Sequence, residues 1–141
     1  MKVRQLSIFL ENKEGRLAGV AKILGENAIN IRALSVANTH DFVILRLLVD
    51  DIDKAEEKLR EHNVVCRINN VTIVAVDNQP GGLAKVLETL HNSGVNIEYM
   101  YAVAEPNNDR PLLVFRFNDG QKAVDALQEA GCPILTEQQL F

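Results

Sequence analysis

Two segments, Gly15-Arg16-Leu17-Ala18 and Gly81-Gly82-Leu83-Ala84, join glycine to the start of an apolar helical period. Such a junction brings a loop to a helix N-terminus, where unpaired N–H groups and a partial positive charge suit a carboxylate. Glycine there permits positive φ and lets a ligand approach the backbone closely. Asn12 and Asn78 stand in matching places ahead of the two glycines, and Asn30-Ile31 and Asn96-Ile97 follow each helix. A side-chain amide offers both a donor and an acceptor, enough to hold the amine or carboxylate of a zwitterion. The chemistry in view is therefore capture of a small zwitterion. A plainer role fits the same residues: glycines that only serve a turn, asparagines that only steady the entry to a strand.

The two loops are not equivalent. Pro80 pre-sets the second and withdraws one competing donor, whereas Glu14 stands in that place in the first. A carboxylate there repels an anion but can hold an ammonium. Arg16 either restores a cation or is a solvated helix residue. The second loop, from Asn78 to Leu83, is the better suited of the two.

These loops belong to an internal duplication. At an offset of 66 (81 − 15), Glu11 meets Asp77, Asn12 meets Asn78, Val20 meets Val86 and Leu24 meets Leu90. Residues Ile29-Asn30-Ile31 meet Val95-Asn96-Ile97 without a gap. The offset then drifts, because residues 105–111 lengthen one loop of the second copy.

Each copy predicts the same elements. Leu6, Ile8 and Leu10 alternate as on a half-buried strand, answered by Val71, Ile73 and Ala75. Leu17, Val20, Ala21 and Leu24 follow the helical period, as do Leu83, Val86, Leu87 and Leu90. Strands are expected over about 30–37 and 42–49, with counterparts over 96–104 and 112–118. Second helices carry Ile52, Ala55 and Leu59, then Ala123, Val124, Leu127 and Ala130; short final strands close each copy at 64–67 and 133–136. The order βαββαβ, twice, is an α+β fold of two ferredoxin-like modules, residues 1–68 and 69–141, with antiparallel sheets and helices on one face. Strand 42–49 is apolar on both sides apart from Arg46. The sheet face away from the helices is thus expected to be partly covered, by the other repeat, the C-terminal tail or another subunit.

Composition narrows the function. The net charge of −4 and pI near 5.4 leave no basic stripe for phosphate, and aromatics are only 5% of residues, so no nucleic-acid partner is expected. No apolar run is long enough for a membrane span and the N-terminal run is too short for a signal peptide, which predicts a cytoplasmic protein. Cys66 and Cys132 lack the spacing of metal ligands, and His40, His62 and His91 are scattered; no metal or cofactor is expected. There is no nucleophile elbow, phosphate loop or paired His–carboxylate signature, so no enzymatic activity is expected. Tyr99 and Tyr101 either line a pocket or pack at an interface.

The segment Asp77-Asn78-Gln79-Pro80-Gly81-Gly82-Leu83-Ala84, followed by Gly94-Val95-Asn96-Ile97, resembles the ACT domain signature. The first copy matches it less fully, with Glu11 to Ala18 and Ala28 to Ile31. The resemblance implies a stand-alone regulator in amino-acid metabolism that binds a small effector, an amino acid, at the interface between modules. It implies a site drawn from Asn12, Gly15, Arg16, Leu17, Asn30 and Ile31, and from Asn78, Pro80, Gly81, Gly82, Leu83, Asn96 and Ile97. A homodimer or larger homo-oligomer and a regulated enzyme are the partners it suggests. A protein–protein interaction module without a small ligand is the alternative.

Overall fold

A computed structural model describes residues 2–103 and 110–140. Residues Arg4–Asn69 form one compact unit, and Asn70–Phe141 with Met1–Val3 form the other.

The first module runs β1 (Val3–Glu11), α1 (Arg16–Glu26), β2 (Ile31–Asn38), β3 (Phe42–Val49), α2 (Ile52–Glu61) and the start of β4 (Val65–Ala75). Its strands lie in the order β2-β3-β1-β4. The period-2 alternation decides which side is core: Leu6, Ile8 and Leu10 stand opposite Leu47, Leu45 and Val43 in an antiparallel ladder. All six are buried with Val20 and Leu24 of α1 and Ala55 and Leu59 of α2. Both helices therefore cover one sheet face.

The second module repeats this with the rest of β4, α3 (Gly82–Asn92), β5 (Ile97–Ala102), β6 (Leu112–Phe117), α4 (Gly120–Glu129) and β7 (Ile134–Leu135). Its order is β7-β4-β6-β5. Val74, Val76, Phe115 and Phe117 meet Val86 and Leu90 of α3 and Ala123 and Leu127 of α4. The rings of Phe115 and Phe117 stack with centroids 5.4 Å apart.

The sheet face away from the helices is partly covered in both modules, as the apolar strands predicted. Leu48 of β3 and Ile73 and Val114 of the second sheet are fully buried there. Even the polar side of β1 is enclosed: Gln5 Nε2 donates to Ser7 Oγ at 3.1 Å, and Ser7 Oγ donates to Asn69 Oδ1 at 2.7 Å. Buried polar groups need such partners.

Four differences from the sequence reading stand out. The expected strand 64–67 and the first strand of the second copy are one strand, β4, which runs on through Asn69-Asn70, where Ser7 Oγ donates to the Asn69 side chain. The strand expected over 96–104 is β5 as far as Ala102, after which the Val103 amide donates to Leu112 O at 2.9 Å; Ala104 and most of the lengthened loop 105–111 lie outside the described residues. Leu17, Ala21 and Leu83 are exposed, since the inner faces of α1 and α3 are set by Val20, Leu24, Val86 and Leu90. A short C-terminal helix, α5 (Glu137–Leu140), was not expected. It starts on a capping box: Gln139 N–H donates to Thr136 Oγ1 at 3.3 Å, and Thr136 N–H donates to Gln139 Oε1 at 2.8 Å.

Candidate functional site

The helices differ in how they begin. Asp51 and Asp119 cap α2 and α4 by accepting from the Lys54 and Lys122 amides at 3.2 and 3.1 Å. Helices α1 and α3 instead start from Gly15 at φ 84° and Gly81 at φ 89°, with no side-chain cap on either. A left-handed residue there strongly favours glycine. The Arg16 and Gly82 amides donate to the Lys13 and Gln79 carbonyls at 3.3 and 3.0 Å, so only the later first-turn N–H groups, which have no side-chain acceptor, are open to an external anion.

In the first loop the Asn12 amide donates to Asp41 O at 2.9 Å, and Asn12 Nδ2 donates to His40 O at 3.3 Å. Asn12 thus ties the loop to the β2–β3 turn. Glu11 pairs with Lys13 at 2.9 Å and with Arg16 at 3.9 Å. The hydrogen bond from Lys13 and its charge hold the Glu11 carboxyl below the usual carboxylate range, with Arg16 adding to this.

The second loop folds more tightly. A Cβ on Gly82 would collide with the Asp77 carbonyl oxygen, so glycine is required for close approach. Arg16 occupies the equivalent place in the first copy and carries a full side chain. The Glu11 carbonyl must therefore stand further from its helix than that of Asp77. Arg110 reaches Asp77 Oδ1 at 3.6 Å.

The first module holds a pocket of about 580 Å³, lined by Gly15, Arg16 and Gly19 of the loop and α1, by Phe9 of β1, and by Asn63 and Val65 at the exit of α2. In the second module Asn78, Pro80 and Leu83 line a recess of about 470 Å³ with Pro111 and Leu113. A smaller one, about 160 Å³, lies among Asp77, Gly82, Lys85 and Arg110. An apolar groove of about 190 Å³ runs along α1 and the edge strand β2, where Leu17 and Ile31 meet Leu34 and Val36.

The structure thus brings Gly15 together with Arg16, Leu17 with Ile31, and Asn78 with Pro80 and Leu83. Asn12, Asn30, Gly81, Asn96 and Ile97 line none of these recesses. Asn30 and Asn96 are exposed, and their backbones are bonded to Asp50 and Asn118. Ile97 packs against the second core. Tyr99 and Tyr101 stand opposite Arg116 and Val114, half-buried on the sheet face away from α3. Sequence reading passed over Phe9, Gly19 and the segment His62 to Val65. The one available signal was Gly19, a glycine inside a helical period.

Among the described residues no three His, Cys, Asp or Glu side chains converge as metal ligands would. Nor is any helix of the described residues long and apolar enough to cross a membrane.

Two βαββαβ modules in tandem, each led into its first helix by an uncapped glycine turn, define a paired ACT architecture. The chain belongs to the ACT domain pair family, which matches residues 1–141. It is similar to protein BT0572 from Bacteroides thetaiotaomicron, with 41% identity, a TM-score of 0.92, and 99% of this chain and 96% of that one covered. The fold is also that of the regulatory subunit of aspartate kinase from Thermus thermophilus in its ligand-free form, at 19% identity and a TM-score of 0.62, covering 90% and 91%. The corresponding subunit from Thermus flavus gives 16% identity and a TM-score of 0.60, covering 91% and 92%. Comparison with curated proteins gave no match.

Proposed function

We propose that this chain is a regulatory ACT protein that binds a small effector, an amino acid, at its strand-to-helix loops where modules pair. The observation that carries this reading is the contrast in capping. Both second helices have an aspartate cap, whereas both loop helices begin on a left-handed glycine with no side-chain acceptor. Asn12, Gly15, Arg16, Leu17, Asn30 and Ile31 form the first candidate set; Asn78, Pro80, Gly81, Gly82, Leu83, Asn96 and Ile97 form the second. Membership of the ACT domain pair family supports the same role. The modules are taken to divide between residues 68 and 69. The protein regulates an enzyme instead of catalysing a reaction, works in the cytoplasm, and assembles with copies of itself.

A thermal-shift screen of extensively dialysed protein against the proteinogenic amino acids tests this. A ligand at about 100 times its Kd should stabilise the chain by roughly 2.7 kcal/mol. The absence of any shift would overturn the effector reading. It would favour a protein-interaction module, for which the exposed Leu34 and Val36 of the β2 groove supply the motivating observation.

A further inference from the structure

The pocket beside α1 has a counterpart in the second module, and the two differ in a telling way. The repeat maps Phe9 to Ala75, Glu11 to Asp77 and Val65 to Pro133, and these residues line both recesses. The first has about 580 Å³ and the second only about 160 Å³. Besides the exchanges of Phe9 for Ala75, Asn63 for Gly131 and Val65 for Pro133, two helix positions that line both recesses differ. Gly19 stands where Lys85 stands in the second copy, and Arg16 stands where Gly82 is packed under the Asp77 carbonyl.

Gly19 lies inside α1, has no positive φ, and finds nothing within 4 Å of where its Cβ would be. Neither backbone conformation nor close packing demands glycine there, although in a helix interior it costs about 1 kcal/mol relative to alanine. Its effect is to leave bare a stretch of wall that in the other recess is lined by Lys85. The rest of the lining is largely apolar, from Phe9, Leu10, Ile23, Phe42 and Val65. Phe9, Phe42 and Val65 are exposed. Two opposite charges share this wall. Among the described residues Arg16 makes no closer ion pair than the 3.9 Å one to Glu11. The volume falls within the roughly 300–1,000 Å³ of small-molecule sites.

We propose that the effector occupies the first module, and that it is an α-amino acid with a large apolar side chain. Its carboxylate meets Arg16 and the start of α1, its ammonium meets Glu11, and its side chain lies against Phe9, Ile23 and Val65. Lys85 blocks the equivalent position in the second module. This rests on the reading of the chain as an amino-acid sensor.

Isothermal titration calorimetry of the full chain with L-leucine, L-phenylalanine, L-methionine, L-lysine and L-aspartate tests it. At least one of the three apolar amino acids should bind. Gly19→Lys, which copies the second module, should weaken that binding at least tenfold, and Arg16→Gln should weaken it too. Lys85→Ala should leave it unchanged. If Gly19→Lys fails to fold, Arg16→Gln decides the matter. Unaltered binding in Arg16→Gln, or in a folded Gly19→Lys, overturns the proposal while leaving the sensor reading intact. Preference for L-lysine or L-aspartate overturns the ligand class. Failure of every proteinogenic amino acid to bind removes the sensor reading and this inference together.

Discussion

Asn30 and Asp50 are hydrogen-bonded to each other twice: the Asn30 amide donates to Asp50 Oδ1 at 3.0 Å, and the Asp50 amide donates to Asn30 O at 3.2 Å. Asn96 and Asn118 repeat the clasp at 3.0 and 3.1 Å. It joins the entry of β2 to the exit of β3, and the entry of β5 to the exit of β6. The clasp uses only the backbone of Asn30 and Asn96 and so does not engage their side-chain amides. Asp50→Ala should therefore cost about 1 kcal/mol in urea denaturation. Asn30→Ala should change stability by less than about 0.5 kcal/mol, yet weaken amino-acid binding. An equal stability loss in both variants would show Asn30 to be structural.

The loop glycines should separate by mechanism. Gly15→Ala and Gly81→Ala each force an L residue into the left-handed region, at about 1–2 kcal/mol. Gly82→Ala should cost about 1–3 kcal/mol for a different reason, because its new methyl meets the Asp77 carbonyl. Gly19→Ala should instead stabilise the chain, by up to about 1 kcal/mol. Chemical denaturation of the four variants distinguishes these signs.

Asp51→Ala and Asp119→Ala each remove a side-chain cap and should each cost about 1 kcal/mol. Neither should alter effector affinity, since each caps a second helix and belongs to neither candidate set. A binding loss without a stability loss would contradict the division between capped structural helices and uncapped loop helices.

Burial pushes the Cys66 thiol up, with Glu56 adding to the shift and Arg60 opposing it. The folded state therefore holds this proton more tightly than the unfolded chain. The resulting stability is fully present below the ordinary thiol range, near pH 8.5, and declines as pH rises through the elevated folded value. Cys66→Ala should flatten that alkaline decline in urea titrations. In the native protein, Cys66 should react with a thiol reagent far more slowly than after denaturation.

Leu34 is 54% exposed and Val36 42%, both on the helix side of the edge strand β2. If this apolar edge joins copies of the chain, sedimentation velocity should show species larger than 15.7 kDa. Leu34→Asp should then shift them toward the monomer. A monomer at all concentrations in the unaltered protein would refute self-assembly through this edge.

The duplication, the βαββαβ order and most of the core were legible from residue order alone. Alternation along Leu6, Ile8 and Leu10 and the helical spacing of Val20 and Leu24 are local patterns, and burying one apolar face leaves few ways to arrange them. The capping box at Thr136 and Gln139 was legible too, but went unread because it starts so short a helix. Tertiary structure decided the rest. It made one strand of 65–75, turned Leu17 and Leu83 outward, and showed that the two glycine loops differ in tightness. These outcomes depend on distances between segments far apart in the chain. Gly82 must be glycine because the Asp77 carbonyl lies against it, and Gly19 matters because α1 faces the exit of α2; neither neighbour can be read from spacing.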